Sequence, residues 1–363
     1  MASSSSSSRL RYLDWLRGLA AVIMLQGHAY HSFTRPDLRD TGPFVLSQFV
    51  GGMPPAIFLF LTGVTLAFLM HSRERQGLPA SQRVWAALRR AGYLIGIAFL
   101  FRVQLWLFAI PNNPWTDLFR VDILNAMAIS VAVLSPMAAF TTRERARLCA
   151  ILGLLIAAAS PLLSQVSWPG VPVIIKSYLA PDLQSFGFFP WASFLAFGVS
   201  AGSILKLTRT DQTDRLIQWG ALLGVVLVVG GRYFSEIPYS LYSKSDFWLD
   251  SPSMVLIKLG VILLLLALAF LWTRYVAPEG WSWVAQFGTT SLLVYWVHIE
   301  LIYGKWFWYW KENLTIPQAT VSAVLLVLFM LGLSVVKTNW KGWREWPVAF
   351  LFPSYEPPRV SGD

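Results

Sequence analysis

The chain has 363 residues, of which 55% are hydrophobic and only 13% charged, with a mean hydropathy of +0.53. A soluble globular domain carries roughly 25% charged residues, so a water-soluble enzyme is excluded and a polytopic membrane protein with short loops is implied. The surplus of 29 Lys and Arg over 19 Asp and Glu serves orientation first in such a protein. It forms no basic soluble module for nucleic acid, and the single cysteine, Cys149, excludes an intrachain disulfide or a zinc cluster.

Residues 1–8 are a serine-rich tail too polar and uniform to pack, and are expected to be disordered. A cleavable signal peptide is not expected, because Arg11, Asp14 and Arg17 stand at the entrance of the first apolar run and no small-residue cleavage site follows it. Ten hydrophobic segments succeed one another, at about 13–31, 52–70, 86–109, 121–140, 147–166, 186–205, 216–233, 254–276, 283–304 and 318–336. They predict an all-α integral-membrane bundle of about ten transmembrane helices over residues 9–336. Residues 337–363 read as an interfacial segment, with Trp340, Trp343 and Trp346 three apart beside Lys341 and Arg344, followed by a C-terminal tail. Neither an internal repeat nor a loop long enough for a soluble domain is visible.

The loops predict the orientation. Arg73, Arg75, Arg83, Arg89 and Arg90 follow the second segment, Arg143, Arg145 and Arg147 the fourth, and Lys206, Arg209 and Arg215 the sixth, while the alternate loops are nearly neutral. Positive loops stay in the cytoplasm, which puts both termini there as well.

Ionisable groups inside spans are costly and usually face a cavity or a partner. In the first segment Arg11, Asp14, Arg17, Ala21, Met24, His28 and His31 recur every three or four residues, so they share one helical face. Asp14 and His28 lie about 21 Å apart along that face. The predicted orientation puts Asp122 and Asn125 at the outer end of the fourth segment, and His298, with Tyr295 on the preceding turn, in the outer half of the ninth. Two histidines and a carboxylate at one depth are parts for general acid–base chemistry. Glu300, two residues past His298, faces the other way and reads as structural or interfacial, and His71 reads as a solvated end group. At the cytoplasmic end Arg83, Arg89 and Arg90 could join Arg11 and Arg17 in a funnel for a ligand with several phosphates. A plainer reading makes these arginines ordinary anchors and His28 an interfacial residue. Arg102, deep in an apolar run, fits neither reading easily. No phosphate loop, metal-ligand spacing or nucleophile elbow is present.

The opening RLRYLDWLRGLAAVIMLQGH resembles the first helix of the transmembrane acyltransferase superfamily: an Arg, an Asp–x–x–Arg, and a His fourteen residues past the Asp. PPAIFLFLTGVTLAF, FRVDILNAMAIS and FGTTSLLVYWVHI are similar, in order, to helices of one branch, the heparan-α-glucosaminide N-acetyltransferase catalytic-domain family. The resemblance implies a bundle of ten or eleven helices that takes acetyl-CoA, as donor substrate and without a metal, from the cytoplasm. It passes acetyl to an amino sugar or glycan hydroxyl at the other face. By that match His28 is the catalytic position and His298 its partner, with Asp122 as a further candidate. Arg11, Asp14 and Arg17 match the donor-site motif, to which Arg89 and Arg90 add phosphate contacts, and His31, Asn125 and Tyr295 are candidates for the acceptor side. His31 is also a candidate substitute for His28, since the lysosomal member has Asn at that position and its histidine in the following loop. The fourth-helix stretch departs from the family's Leu–Gln–Arg and leaves the acceptor open.

The expected setting is a bacterial inner membrane, with lipid, acetyl-CoA and a glycan acceptor as partners and a homodimer left open. The rival class is a transporter or channel for protons or small anions through the same His, Asp and Arg groups, against which the absent repeats count. A scaffold that kept the fold without catalysis is the third option.

Overall fold

The structure, a computed structural model, describes residues 10–110, 114–183, 185–239, 241–277 and 280–351, with the backbone alone for 341–351. The serine-rich tail, the last twelve residues and the side chains of Trp343 and Trp346 therefore lie outside the described residues. The helices run in the order α1 (Arg11–Phe33), α2 (Gly42–Gly51), α3 (Pro54–Arg75), α4 (Ala80–Phe108), α5 (Ile123–Leu134), α6 (Thr142–Gln165), α7 (Val173–Leu179), α8 (Phe188–Leu207), α9 (Thr213–Glu236), α10 (Pro252–Leu271), α11 (Trp283–Thr289), α12 (Ser291–Tyr303) and α13 (Ile316–Leu351).

All ten predicted segments are helical, and among the described residues seven helices are long and apolar enough to cross a membrane: α3 with α2 leading into it, α4, α6, α8, α9, α10 and α13. The remaining three segments differ for identifiable reasons. Helix α1 is diluted by its charged and histidine stripe. Helix α5 has twelve residues and ends in a 3-10 turn at Ser135–Ala139, and the ninth segment is split at Thr290 into α11 and α12. These three segments carry most of the candidate site residues named above.

The split follows from packing. A β-carbon on Gly288 would collide with the Asp14 backbone, and one on Gly18 with the Val284 carbonyl, so α1 and α11 cross with their backbones almost touching. Small residues permit such crossings between apolar helices. Gly63, Gly198 and Gly202 do the same for α3 and α8, whose buried Phe60, Val64, Leu195 and Val199 form the centre of the core.

Hydrogen bonds and ion pairs gather the ends of the helices into two sets. At one end, which we call the arginine-rich end, Arg145 pairs with Glu74 at 3.1 Å, Arg83 donates to the Ala139 carbonyl, Arg274 pairs with Asp214 and Arg11 donates to the Gly280 carbonyl. At the opposite end Thr34 bridges to Leu314, Arg39 pairs with Glu312 and Lys305 donates to the Ile110 carbonyl.

Two sequence expectations change here. Arg145 is not a solvated loop charge: it is fully buried and donates to Glu74 and to the Met137 and Phe140 carbonyls. His71 is not a free end group, because its Nδ1 lies 2.8 Å from the Thr142 hydroxyl. That hydroxyl and the Thr142 amide both donate to Glu74, which clasps the start of α6 to the end of α3. An anionic carboxylate on a helix N-terminus is favourable for the orphan amides there.

Candidate active site

The half of the bundle away from the arginine-rich end holds a cavity of about 590 Å³. Helix α1 contributes Met24, His28 and His31 to its wall, and the end of α4 contributes Phe101, Arg102 and Trp106. Asp122 joins from the start of α5. Tyr295, Ile299, Glu300 and Tyr303 come from α12, spaced so that Tyr295, Ile299 and Tyr303 are successive i, i+4 neighbours.

The centre of the site is a histidine pair. His28 Nδ1 lies 2.9 Å from His298 Nε2, with the rings nearly parallel at 14°. His298 is fully buried, and its Nδ1 lies 2.7 Å from the Val294 carbonyl one turn back. A carbonyl only accepts, so the neutral His298 ring carries its proton on Nδ1 and offers Nε2 as an acceptor. His28 must then donate from Nδ1, which leaves His28 Nε2 as the unprotonated nitrogen. The hydrogen-bond chain thus fixes both tautomers and prepares one basic nitrogen on a cavity residue. The Tyr303 ring packs edge-on against His28 at 5.4 Å, and its hydroxyl lies 3.3 Å from His31 Nδ1 at the exposed rim.

Asp122 does a different job from His298. It caps α5 by accepting from the Leu124 and Asn125 amides and pairs with Arg102 at 3.1 Å, both side chains being largely buried. This explains Arg102, the arginine that neither loop loading nor a phosphate funnel accounted for. Tyr295 lines the cavity and packs its ring against His298 at 5.9 Å. Asn125 is absent from the cavity wall and donates to the Tyr178 hydroxyl of α7.

Glu300, expected to be structural or interfacial, is 7% exposed and forms part of the cavity wall, with the Trp306 indole donating to its Oε1. Nearby Lys311, in the loop before α13, is pushed below the usual lysine range by burial while the Glu300 charge opposes that shift. Sequence reasoning also passed over Tyr303, which the i, i+4 step from Tyr295 through Ile299 would have found.

The donor-side candidates separate by helical angle. Arg17 pairs with Asp14 at 3.2 Å, and Arg90 turns inward, within electrostatic reach of Arg17, to donate to the Thr65 hydroxyl. Arg89 turns outward and stacks over Trp85, so the two neighbours do not form one subsite. The Nε atoms of Arg83 and Arg90 are buried without a hydrogen-bond partner. Guanidinium forks with donors to spare at a helix-bundle end suit phosphate groups.

The sequence model described as heparan-alpha-glucosaminide N-acetyltransferase, catalytic, matches residues 9–237, well over half of the chain. The chain belongs to that family. It is a multi-pass helical protein of an N-acetyltransferase family, with His28, Arg102 and Asp122 inside the matched stretch. The match ends before α10, so His298, and with it Tyr295 and Glu300 of the cavity wall, lie beyond it. No curated protein matches the chain. Among the described residues, no group of three His, Cys, Asp or Glu side chains could hold a metal ion.

Proposed function

We propose that the chain is an integral-membrane acetyltransferase that takes acetyl-CoA at the arginine-rich end and acetylates an amino sugar or a glycan hydroxyl in the cavity at the other end. The observation that carries this reading is the histidine pair in which His298 holds His28 in the cavity wall, in a chain of this family. Arg17 and Arg90, helped by Arg11 and Arg83, hold the CoA phosphates, with Asp14 setting the Arg17 fork. Arg89 contributes little, since it faces outward over Trp85. Arg17 and His28 share one face of α1, with the buried Ala21 and Met24 between them, and that face gives the acyl arm its direction.

His28 is the general base. Its Nε2 takes the proton from the attacking N–H or O–H of the acceptor, whose nitrogen or oxygen bonds to the acetyl carbonyl carbon. The C–S bond breaks, and the leaving CoA sulfur takes the proton back from His28. His298 holds the tautomer and angle of His28 and disperses the charge that develops on it, while the Val294 carbonyl anchors His298. Asp122 acts through Arg102, keeping that cation in the wall where it can face the acyl oxygen. His31 and Tyr295 line the acceptor side. The positive loops support a cytoplasmic arginine-rich end in a bacterial inner membrane. On this orientation α1, α5 and the α11–α12 pair complete a ten-segment bundle.

Titration of acetyl-CoA onto the purified protein tests the donor half. Micromolar binding that an Arg17→Ala/Arg90→Ala variant loses is the expected result. A folded wild-type protein that binds no acetyl-CoA at millimolar concentration overturns the proposal.

A further inference from the structure

We infer that Glu300 is an acceptor-binding residue: its carboxylate receives a hydrogen bond from an O–H or N–H of a saccharide acceptor, at a group other than the one acetylated. This rests on the acetyltransferase reading above and gives its acceptor a chemistry.

Glu300 is 7% exposed, in the wall of the cavity, and only half satisfied. The Trp306 indole donates to Oε1 at 3.3 Å, while Oε2 is buried with no hydrogen-bond partner. Lys311, whose charge acts on Glu300, directs hydrogen bonds to the Tyr303 and Gly304 carbonyls at 2.8 and 2.7 Å instead. A buried carboxylate oxygen without a donor is destabilising, and few such atoms persist in folded proteins without a use. A ligand that brings a donor to this wall is bound preferentially over one that does not.

The position of Glu300 decides which group of the ligand it meets. Two residues separate it from His298 on α12, a rise of about 3 Å and a turn of about 200°. His28, bonded to His298, is therefore served from a different side of α12 than Glu300. One molecule that reaches both must present a reacting group to His28 and a second donor to Glu300. The rings of Tyr303, Trp106 and Trp308 line the same cavity. Flat apolar faces with a few fixed polar groups orient a ring that carries hydroxyls along its edge. A simple alkylamine could reach His28 but would leave Oε2 unpaired.

The test compares wild type and Glu300→Gln on two amines of similar ring size, glucosamine and cyclohexylamine, with acetyl-CoA as donor. Glutamine keeps an oxygen for Trp306 and places an N–H donor where the second oxygen stood. The expected result is a loss of about tenfold or more in kcat/KM for glucosamine, carried by KM, with cyclohexylamine and the acetyl-CoA KM unchanged. Equal losses on both amines mark a merely structural role, and no loss on either marks no contact; each overturns the inference while the enzyme reading stands. Acetylation of neither amine by wild type overturns the inference, while the acetyl-CoA titration still decides the enzyme reading by itself. Should Glu300→Gln fail to fold, the wild-type preference decides. Glucosamine favoured by tenfold or more supports the inference, and equal use of the two amines overturns it.

Discussion

His28 and His298 are 270 positions apart in the chain and 2.9 Å apart in space, joined nitrogen to nitrogen. Because His298 is anchored to the Val294 carbonyl, the contact has a direction, and the free nitrogen of the pair is His28 Nε2. A lone histidine on an apolar helix would rotate and exchange tautomers. This one is held in the form that a base requires.

His298 is a positioning residue, and its loss should act on turnover rather than on binding. His298→Ala is expected to lower kcat about 100-fold with little change in either KM, as misorientation of a base does. His298→Asn, which can still offer an oxygen to His28 Nδ1, should recover part of the rate. Steady-state kinetics on both variants distinguishes this from general unfolding, which would lower the active fraction without rescue.

Removal of Asp122 should cost stability first. Asp122→Ala strands the mostly buried Arg102 and strips two amide bonds from the start of α5. Breaking a buried pair by deleting one partner costs about 3–5 kcal/mol. Asp122→Asn keeps an acceptor for the amides and should lose less, as thermal unfolding in detergent will read.

The two adjacent arginines of α4 should behave differently. Arg90→Ala is expected to weaken acetyl-CoA binding about tenfold or more, the scale of a charge-assisted contact. Arg89→Ala should leave it within about twofold, because its guanidinium lies over Trp85 on the outer face. Isothermal titration of the two single variants reads this directly.

The crossing of α1 and α11 sets the split at Thr290 and hence the pose of α12. Gly18→Ala forces a methyl against the Val284 carbonyl and should destabilise the protein by about 1–3 kcal/mol, the usual range for overpacking. Gly96→Ala within α4, where a β-carbon would meet no neighbouring element within 4 Å, is the control and should leave the melting temperature unchanged or raise it slightly, Ala being the better helix former.

Apolar runs of about twenty residues made the helices legible in the sequence, because a span can hardly be built from anything else. The polar stripe of α1 and its histidine were legible for a related reason, since charge in such a run is conspicuous. Tertiary contacts were not. Nothing local in TSLLVY announces a break at Thr290, which follows from the approach of Gly288 to the Asp14 backbone. Arg145 reads as loop charge in the sequence, because its partner Glu74 lies far away in the chain. Helix α2, at ten residues, is too short to read as a span, yet it leads straight into α3. Glu300 does point away from His298 around α12, as its spacing requires. The cavity wall takes Glu300 together with Tyr295, Ile299 and Tyr303 from the neighbouring flank of α12, a reach that no helical wheel displays.

The most direct measurement is acetyl transfer from labelled acetyl-CoA to glucosamine by purified protein in lipid nanodiscs, wild type beside His28→Ala. The account predicts transfer by wild type and a drop of about 10²- to 10⁴-fold in the variant, the contribution expected of a general base, with acetyl-CoA binding retained. Transfer by His28→Ala at the wild-type rate would contradict it.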